Sequence, residues 1–261
     1  MSESRFFTQQ DGSKIAYKIF EPENIKNEVP LIMIMGFAGT KEIFLGFEEE
    51  LAKNQTVLIF DNRGIGESTV ASYDDPITIE LMAQDTIELI RHLEIKRFNL
   101  FGGSMGGNIA LCIALNVPSD IKLEKLIIGA TFARIRPDLK LYQSLERLYK
   151  LPNMGHPKTI QEQKDILLKS DKDIVNYQLK HPDKFDKIAE IIFDIVSRLQ
   201  EIKVPTLIIH GEIDDVVPIG EGELLAREIP NAQFYKIPKT GHSIYIMASN
   251  YIPVIDEFLN N

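Results

Sequence analysis

The pattern with the clearest chemical potential is a serine between glycines, in the segment GGSMGG that runs from Gly102 to Gly107. It has the form G-x-S-x-G, which carries chemistry only where a strand turns sharply into a helix. Apolar FNLF precedes the motif and apolar NIALCIALNV follows it, which predicts that context. Glycines suit such a turn, because side chains there would meet neighbouring backbone. We therefore predict that Ser104 is a nucleophile.

The alternative for this segment is a glycine-rich turn that binds an anion at the N-terminus of the following helix. A phosphate-binding loop usually adds a lysine, and none occurs between Gly102 and Val117. The sequence therefore favours nucleophilic chemistry over anion binding.

A serine hydroxyl needs a base beside it, and histidine suits that task at neutral pH. A carboxylate must then orient the imidazole, and both partners should follow the serine in the order acid, then histidine. His242 fits best, since it lies in the loop that follows the predicted strand AQFYKIP, and Gly241 lets the chain turn there. Of the other histidines, His92 is predicted to be a surface residue and His210 a structural turn residue. His156 and His181 fall in a predicted helical insertion.

The acid is expected in HGEIDDVVP, which follows the penultimate predicted strand. This segment offers Glu212, Asp214 and Asp215. Their residue types and positions alone do not separate the three, although the side chains of the adjacent aspartates should point in different directions.

Composition narrows the classes of function. The net charge of −9, with lysine and arginine spread along the chain, argues against nucleic acid or an anionic membrane as a partner. The N-terminus is too polar for a signal peptide, no apolar run approaches the ~20 residues of a membrane span, and a cytoplasmic location is expected.

Cys112 is the single cysteine, expected to be buried. No spacing typical of a zinc site or a dinucleotide fingerprint occurs, so we expect no metal and no organic cofactor.

The elements that must position these residues alternate between strand and helix. An N-terminal hairpin is followed by continuous apolar runs such as PLIMIMG and QTVLIFD, with helical periodicity between later runs. This order predicts an α/β fold with a mostly parallel sheet and helices on both faces. From about Ala133 to Leu199 no buried-strand pattern occurs, so residues 134–199 are predicted to form a helical cap, with the core in 1–133 and 200–261.

These motifs together resemble those of the α/β-hydrolase fold family, in its esterase, enol-lactonase and proline-iminopeptidase-like branch. GGSMGG resembles the family's nucleophile elbow, HGEIDDVVP its acid turn and TGHS its histidine loop, while DNRGIGES resembles a D-x-R-G-x-G-x-S turn of several branches. Counted from the glycine of the acid turn, the family's carboxylate corresponds to Asp214, with Asp215 as the alternative. Asp61, Arg63 and Ser68 of the DNRGIGES segment are interpreted as structural.

The resemblance also implies an oxyanion hole made of backbone N–H groups. In MGFAGT, Met35 stands where the family usually has histidine, while Gly36 and Phe37 align with its loop. Phe37 would provide one N–H and Met105, which follows the nucleophile, would provide the other. Such a donor lowers the barrier by about 2.7–4 kcal/mol, because it acts on charge that develops only during the reaction.

We therefore predict a serine hydrolase that cleaves carboxylic esters with small to medium acyl chains through an acyl-enzyme, using Ser104, His242 and Asp214. The partner is a small-molecule ester, and the sequence leaves the oligomeric state open. The alternatives are a lactonase or a proline-iminopeptidase-like aminopeptidase, although the MGFAG loop lacks the H-G-G-P-G of that group. Peroxide-dependent oxidation is a weaker alternative, and a ligand receptor with little turnover belongs to another class.

Overall fold

A computed structural model describes residues 3–22, 25–37, 39–44, 46–72, 77–134, 193–244 and 251–261. They contain an eight-stranded sheet in the order β1-β2-β4-β3-β5-β6-β7-β8. The β1–β2 and β2–β4 pairs are antiparallel, and the other five pairs are parallel. The strands are β1 Arg5–Thr8, β2 Lys14–Phe20, β3 Asn27–Ile34, β4 Gln55–Phe60, β5 Arg97–Gly103, β6 Lys122–Gly129, β7 Thr206–Gly211 and β8 Ala232–Ile237.

The central strands are buried on both faces, which explains their continuous apolar sequences. Alternate residues of one strand enter different core clusters, as a period of two requires. In β3, Ile32 and Ile34 belong to one cluster, while Leu31 and Met33 belong to the other. The predicted α/β architecture with a mostly parallel sheet is confirmed.

Helices follow the strands of this sheet. The side chain of Thr78 caps one of them by accepting the Leu81 N–H at 3.1 Å. The α-helices are α1 Phe47–Leu51, α2 Ile79–His92, α3 Met105–Leu115, α4 Ile219–Glu228 and α5 Ile252–Asn260, and 3-10 turns occupy Lys41–Phe44 and Val196–Glu201.

One predicted helix is divided. The segment TKEIFLGFEEELAKN was expected to form a single helix, but it forms the Lys41–Phe44 turn and the short α1. Gly46 precedes α1 with a φ of 90°, a left-handed conformation that a continuous right-handed helix does not contain.

The parallel arrangement brings the carboxyl ends of β3 to β8 to one edge of the sheet. The loops that follow these strands are the segments in which the candidate residues were predicted. In open α/β sheets this edge is the usual position of a binding site. The topology therefore gathers segments that are far apart in sequence.

Most of the predicted cap, residues 135–192, lies outside the described residues. Of the remainder, Arg134 and Asp194 form an isolated antiparallel bridge. Phe193 and Leu199 are buried in a core cluster with residues of the sheet and its helices. The division into core and cap stays a prediction.

Candidate active site

The turn between β5 and α3 presents Ser104 in a strained conformation. Its φ is 53° and its ψ is −124°, outside the regions that ordinary residues favour. The neighbouring glycines allow close backbone packing. A Cβ on Gly102 would overlap the carbonyl group of Gly106, and a Cβ on Gly106 would overlap that of Ile34. The predicted strand–turn–helix context of the serine is therefore present.

The end of β6 holds this turn from the other side. The Ser104 N–H donates to the carbonyl oxygen of Gly129 at 2.8 Å. The hydroxyl of Thr131 donates to the carbonyl oxygen of Ser104 at 2.6 Å. Both backbone polar groups of the serine are therefore fixed, and its side chain remains partly exposed.

The three predicted side chains lie in one hydrogen-bonded chain. Nε2 of His242 is 2.9 Å from Oγ of Ser104, and Nδ1 is 2.9 Å from Oδ2 of Asp214. An ionised carboxylate only accepts hydrogen bonds, so Nδ1 carries the proton and Nε2 of the neutral ring accepts from the serine hydroxyl. The His242 side chain is 11% exposed and that of Asp214 is fully buried.

The turn after β7 stabilises Asp214 as a carboxylate. Oδ1 accepts the N–H groups of Val216 and Val217 at 2.9 and 2.8 Å. Burial disfavours the charge, but hydrogen bonds from His210, His242 and the Val217 N–H outweigh it and hold the pKa of Asp214 well below its ordinary value. The carboxylate is thus ionised and ready to orient an imidazole.

The other two carboxylates considered for this role point elsewhere. Asp215 is exposed to solvent. Glu212 is exposed as well, and it accepts the Lys239 N–H at 3.1 Å. The tertiary structure therefore brings Asp214, and not Glu212 or Asp215, to His242.

The remaining histidines divide into three groups. His92 is exposed on α2, where its ring stacks on Phe7 with 4.5 Å between centroids. His156 and His181 lie outside the described residues. His210 is fully buried, with Nε2 3.4 Å from Oδ2 of Asp214. Sequence reasoning interpreted His210 only as a turn residue. The available signal was its position at the end of a buried strand, four residues before Asp214.

The loop after β3 lies against Ser104. A Cβ on Gly36 would come within 2.9 Å of the Ser104 Cβ. Phe37 is the next residue after Gly36 in this loop. Met105 is the first residue of α3, where backbone N–H groups have no partner within the helix. Met35, at the position where histidine is usual, is buried and packs against Gly39. Oxyanion binding by Phe37 and Met105 remains a prediction.

The DNRGIGES turn after β4 anchors both ends of that loop. The amide of Asn62 donates to the Met35 carbonyl oxygen at 2.9 Å. Asp61 accepts the Lys41 N–H at 2.7 Å and pairs with Nζ of the same lysine at 2.8 Å. Arg63 forms a salt bridge with Asp85 inside the core. These contacts support the structural interpretation of this turn.

Ser68 closes the DNRGIGES turn. Its hydroxyl donates to the Asp61 carbonyl oxygen at 2.7 Å and accepts the Ala16 N–H at 2.9 Å. The turn is thus tied to β2 as well as to the loop after β3.

Neither a metal-binding cluster nor a membrane-spanning helix occurs among the described residues. Within them, no three histidine, cysteine, aspartate or glutamate side chains converge in a group suited to a metal ion. None of the helices among them combines the length and apolarity needed to cross a bilayer.

Comparison with known proteins assigns the family. A family model described as serine aminopeptidase, S33, matches residues 27–246. The chain is a member of this α/β-hydrolase family. The resemblance of its motifs to that family is therefore confirmed.

Relatives of this α/β hydrolase are themselves hydrolases. It is 27% identical over 239 residues to the bovine (Bos taurus) monoacylglycerol lipase ABHD6, covering 82% of this chain and 70% of the lipase. It is also 27% identical over 241 residues to the serine hydrolase BPHL of Mus musculus, covering 90% of this chain and 80% of the relative. A solved structure of the enol-lactonase from Burkholderia xenovorans LB400 superposes with a TM-score of 0.77 at 22% identity, covering 98% and 100% of the two chains, and it shows the same fold.

Proposed function

We propose that this α/β hydrolase is a serine esterase that cleaves carboxylic esters with small to medium acyl chains. The observation that carries the proposal is the hydrogen-bonded chain from Ser104 through His242 to Asp214, with 2.9 Å at each link. A hydroxyl, an imidazole and a buried carboxylate in this order form the arrangement that activates a serine for acyl transfer.

In the first step, Ser104 Oγ attacks the ester carbonyl carbon while Nε2 of His242 takes the hydroxyl proton. The buried Asp214 carboxylate accepts the Nδ1–H and stabilises the imidazolium that forms. The Phe37 and Met105 N–H groups donate to the oxyanion of the tetrahedral intermediate. Collapse of this intermediate breaks the ester C–O bond, and His242 returns the proton to the departing alkoxide oxygen.

The second step releases the acid. Water enters the position that the alcohol has left, and His242 removes a proton from it as it attacks the acyl carbon. The second tetrahedral intermediate uses the same N–H donors and collapses to the carboxylic acid. His242 then returns the proton to Ser104 Oγ, which restores the enzyme.

The names of the relatives support ester chemistry. ABHD6 is a monoacylglycerol lipase and BPHL a serine hydrolase, each 27% identical to this chain. The second candidate function is an aminopeptidase, which the description of the matching family model favours. Amide hydrolysis would use the same residues, with His242 protonating a leaving amine.

Labelling of the nucleophile tests the mechanism. A fluorescent alkyl phosphonate should react with wild-type protein, and mass spectrometry of peptides should place the adduct on Ser104. Ser104→Ala should lose both the labelling and the hydrolysis of p-nitrophenyl butyrate. The matched control is Ser68→Ala, which removes a buried serine of the DNRGIGES turn and should retain labelling in the folded fraction. An adduct on another residue would contradict the nucleophile assignment.

A substrate panel tests the bond that is cleaved. p-Nitrophenyl esters from acetate to octanoate, a set of lactones and prolyl arylamides would be compared by kcat/KM. We expect the short and medium esters to rank first. Prolyl arylamides ranking far above every ester would favour the aminopeptidase. Lactones ranking first would assign the enzyme to lactone hydrolysis.

A further inference from the structure

His210 occupies the end of β7 with a fully buried side chain. Its Nε2 atom lies 2.9 Å from the Val217 carbonyl oxygen and 3.4 Å from Oδ2 of Asp214. Both neighbours are hydrogen-bond acceptors, so Nε2 is the nitrogen that carries the ring proton. The Nε2–H is hydrogen-bonded to the Val217 carbonyl oxygen, and it also lies near Oδ2 of Asp214, the carboxylate oxygen that receives the Nδ1–H of His242.

The opposite side of the ring is packed against α4. Nδ1 of His210 has no hydrogen-bond partner among the described residues. It faces Gly222, where an added Cβ would lie 2.5 Å from Nδ1 and 3.0 Å from Cγ. A proton on Nδ1 would be buried without an acceptor, which is costly. The absence of a side chain on Gly222 thus gives the imidazole the room to point Nε2 at the acid turn.

The two oxygens of Asp214 are held in different ways. Oδ1 accepts two backbone N–H groups of the acid turn, those of Val216 and Val217. Oδ2 faces the two imidazoles, His242 at 2.9 Å and His210 at 3.4 Å. Rotation of the carboxylate about its Cβ–Cγ bond would move Oδ2 away from both rings. A donor that belongs to the rigid end of β7 opposes that rotation.

We propose that His210 is a positioning residue for the esterase reaction: its Nε2–H binds the Val217 carbonyl oxygen and lies against Oδ2 of Asp214, so it holds the acid turn with Oδ2 in line with Nδ1 of His242. The kinetic consequences of this inference rest on the proposed function. The hydrogen-bond geometry itself does not, so it can be tested without a substrate.

Two substitutions of the histidine separate a positioning role from simple packing. His210→Leu fills a similar volume but lacks the donor. His210→Gln keeps an amide N–H at about the reach of Nε2. We expect the leucine variant to lower kcat for p-nitrophenyl butyrate about 10-fold, the effect of one buried hydrogen bond, with KM within about twofold. The glutamine variant should recover kcat to within a few-fold of wild type.

A second pair of variants leaves the histidine in place. Gly222→Ala inserts a methyl group against Nδ1 and should displace the ring, so we expect the same loss of kcat as in His210→Leu. Gly220→Ala is the matched control, since it lies on the same helix and an added Cβ there meets nothing within 4 Å. This control should keep wild-type kcat. If the leucine variant does not fold, the glutamine and alanine variants decide the question.

The substrate-free measurement is the low-field proton NMR resonance of the His242 Nδ1–H, assigned by its loss in His242→Gln. It should broaden or disappear in His210→Leu and Gly222→Ala and persist in His210→Gln and Gly220→Ala. Folded His210→Leu and Gly222→Ala proteins with an unchanged resonance would overturn the inference. Equal loss of kcat in the leucine and glutamine variants with the resonance intact would also overturn it, since only packing would then matter. A wild-type protein that shows the resonance pattern but hydrolyses no ester would refute the proposed function alone.

Discussion

Two glycine-rich turns follow strands at the same edge of the sheet, and different interactions stabilise them. The elbow after β5 relies on close backbone contact, with Gly102 and Gly106 in places where any side chain would overlap a neighbouring carbonyl group. The DNRGIGES turn after β4 relies on buried charge, with Asp61 and Lys41 paired at 2.8 Å and both side chains fully buried. The first turn thus presents the partly exposed hydroxyl of Ser104, while the charged side chain of Asp61 in the second turn is buried.

The comparison shows why a glycine-rich turn does not by itself indicate a site. In the elbow, Ser104 has a strained backbone, and its hydroxyl lies within hydrogen-bonding distance of His242 from a distant loop. In the DNRGIGES turn, Gly66 allows the chain to wrap Asp61, whose carboxylate would meet any Cβ at that position. The side chains of Asp61 and Arg63 in the second turn are instead paired with Lys41 and Asp85 and are buried with them.

The largest effect is expected for Gly106→Ala. The added methyl group would overlap the carbonyl group of Ile34, which belongs to the backbone of β3 and has little freedom to move. We expect a loss of unfolding free energy of about 4 kcal/mol or more, measured by urea denaturation, or no soluble protein at all. Gly220→Ala is the control on open helix surface and should change stability by less than about 0.5 kcal/mol. A stable, active Gly106→Ala protein would remove the contrast between the two turns.

A smaller effect is expected for Lys41→Met, which breaks the buried pair of the DNRGIGES turn. Removing one partner leaves the Asp61 carboxylate buried with backbone donors only, at a cost of about 3–5 kcal/mol. Lys53→Met is the matched control, because Lys53 pairs with Glu50 on the surface and the pair contributes at most about 1 kcal/mol. Urea denaturation of both variants measures the difference, and equal effects would contradict the role of buried charge.

The pH dependence of the same variant sharpens the test. Burial opposes the Lys41 charge, but Asp61, Glu67 and Glu42 outweigh it and raise the pKa of Lys41 above its ordinary value. A raised pKa in the folded state stabilises the protein below the unfolded pKa of about 10.4, and this contribution is lost as the pH rises through the folded value. The stability difference between wild type and Lys41→Met should therefore shrink above about pH 10.4.

The smallest effect is expected for Thr131→Val at the elbow. The valine keeps the shape of the side chain but removes the hydroxyl that donates to the Ser104 carbonyl oxygen. We expect a loss of about 1 kcal/mol in unfolding free energy and, if Ser104 is the nucleophile as proposed, a few-fold decrease in kcat for p-nitrophenyl butyrate, since Ser104 is less firmly held. Thr56→Val, which removes a surface hydrogen bond to Glu21, should change neither quantity appreciably. A Thr131→Val protein with wild-type kcat and stability would show that backbone contacts alone position the serine.

Features that depend on nearby residues were predictable from the sequence. The continuous apolar runs predicted β3, β4 and β7, and the glycines around Ser104 predicted a sharp turn between a strand and a helix. The division of the helix at Gly46 was not predicted, because a single glycine within a helical pattern is often tolerated.

The acid turn shows where prediction from residues alone stopped. Glu212, Asp214 and Asp215 are all carboxylates in one loop, and only the resemblance to a family distinguished them. Their distinction depends on direction, since Asp214 turns inward to His242 while Asp215 is exposed. The sequence does not reveal the direction of a side chain in an irregular turn, because it is set by contacts with other segments.

The sequence by itself determined the order of strands and helices, the sharp turn at Ser104 and the loop that carries His242, because hydrophobic periodicity and glycine sterics act over a few residues. The tertiary structure alone decided that Asp214 meets His242 and that His210 joins them from the end of β7. The buried pair of Lys41 and Asp61 was equally a matter of tertiary structure. Each of these contacts links segments that only the parallel sheet brings together, and burial then determines which polar groups must pair.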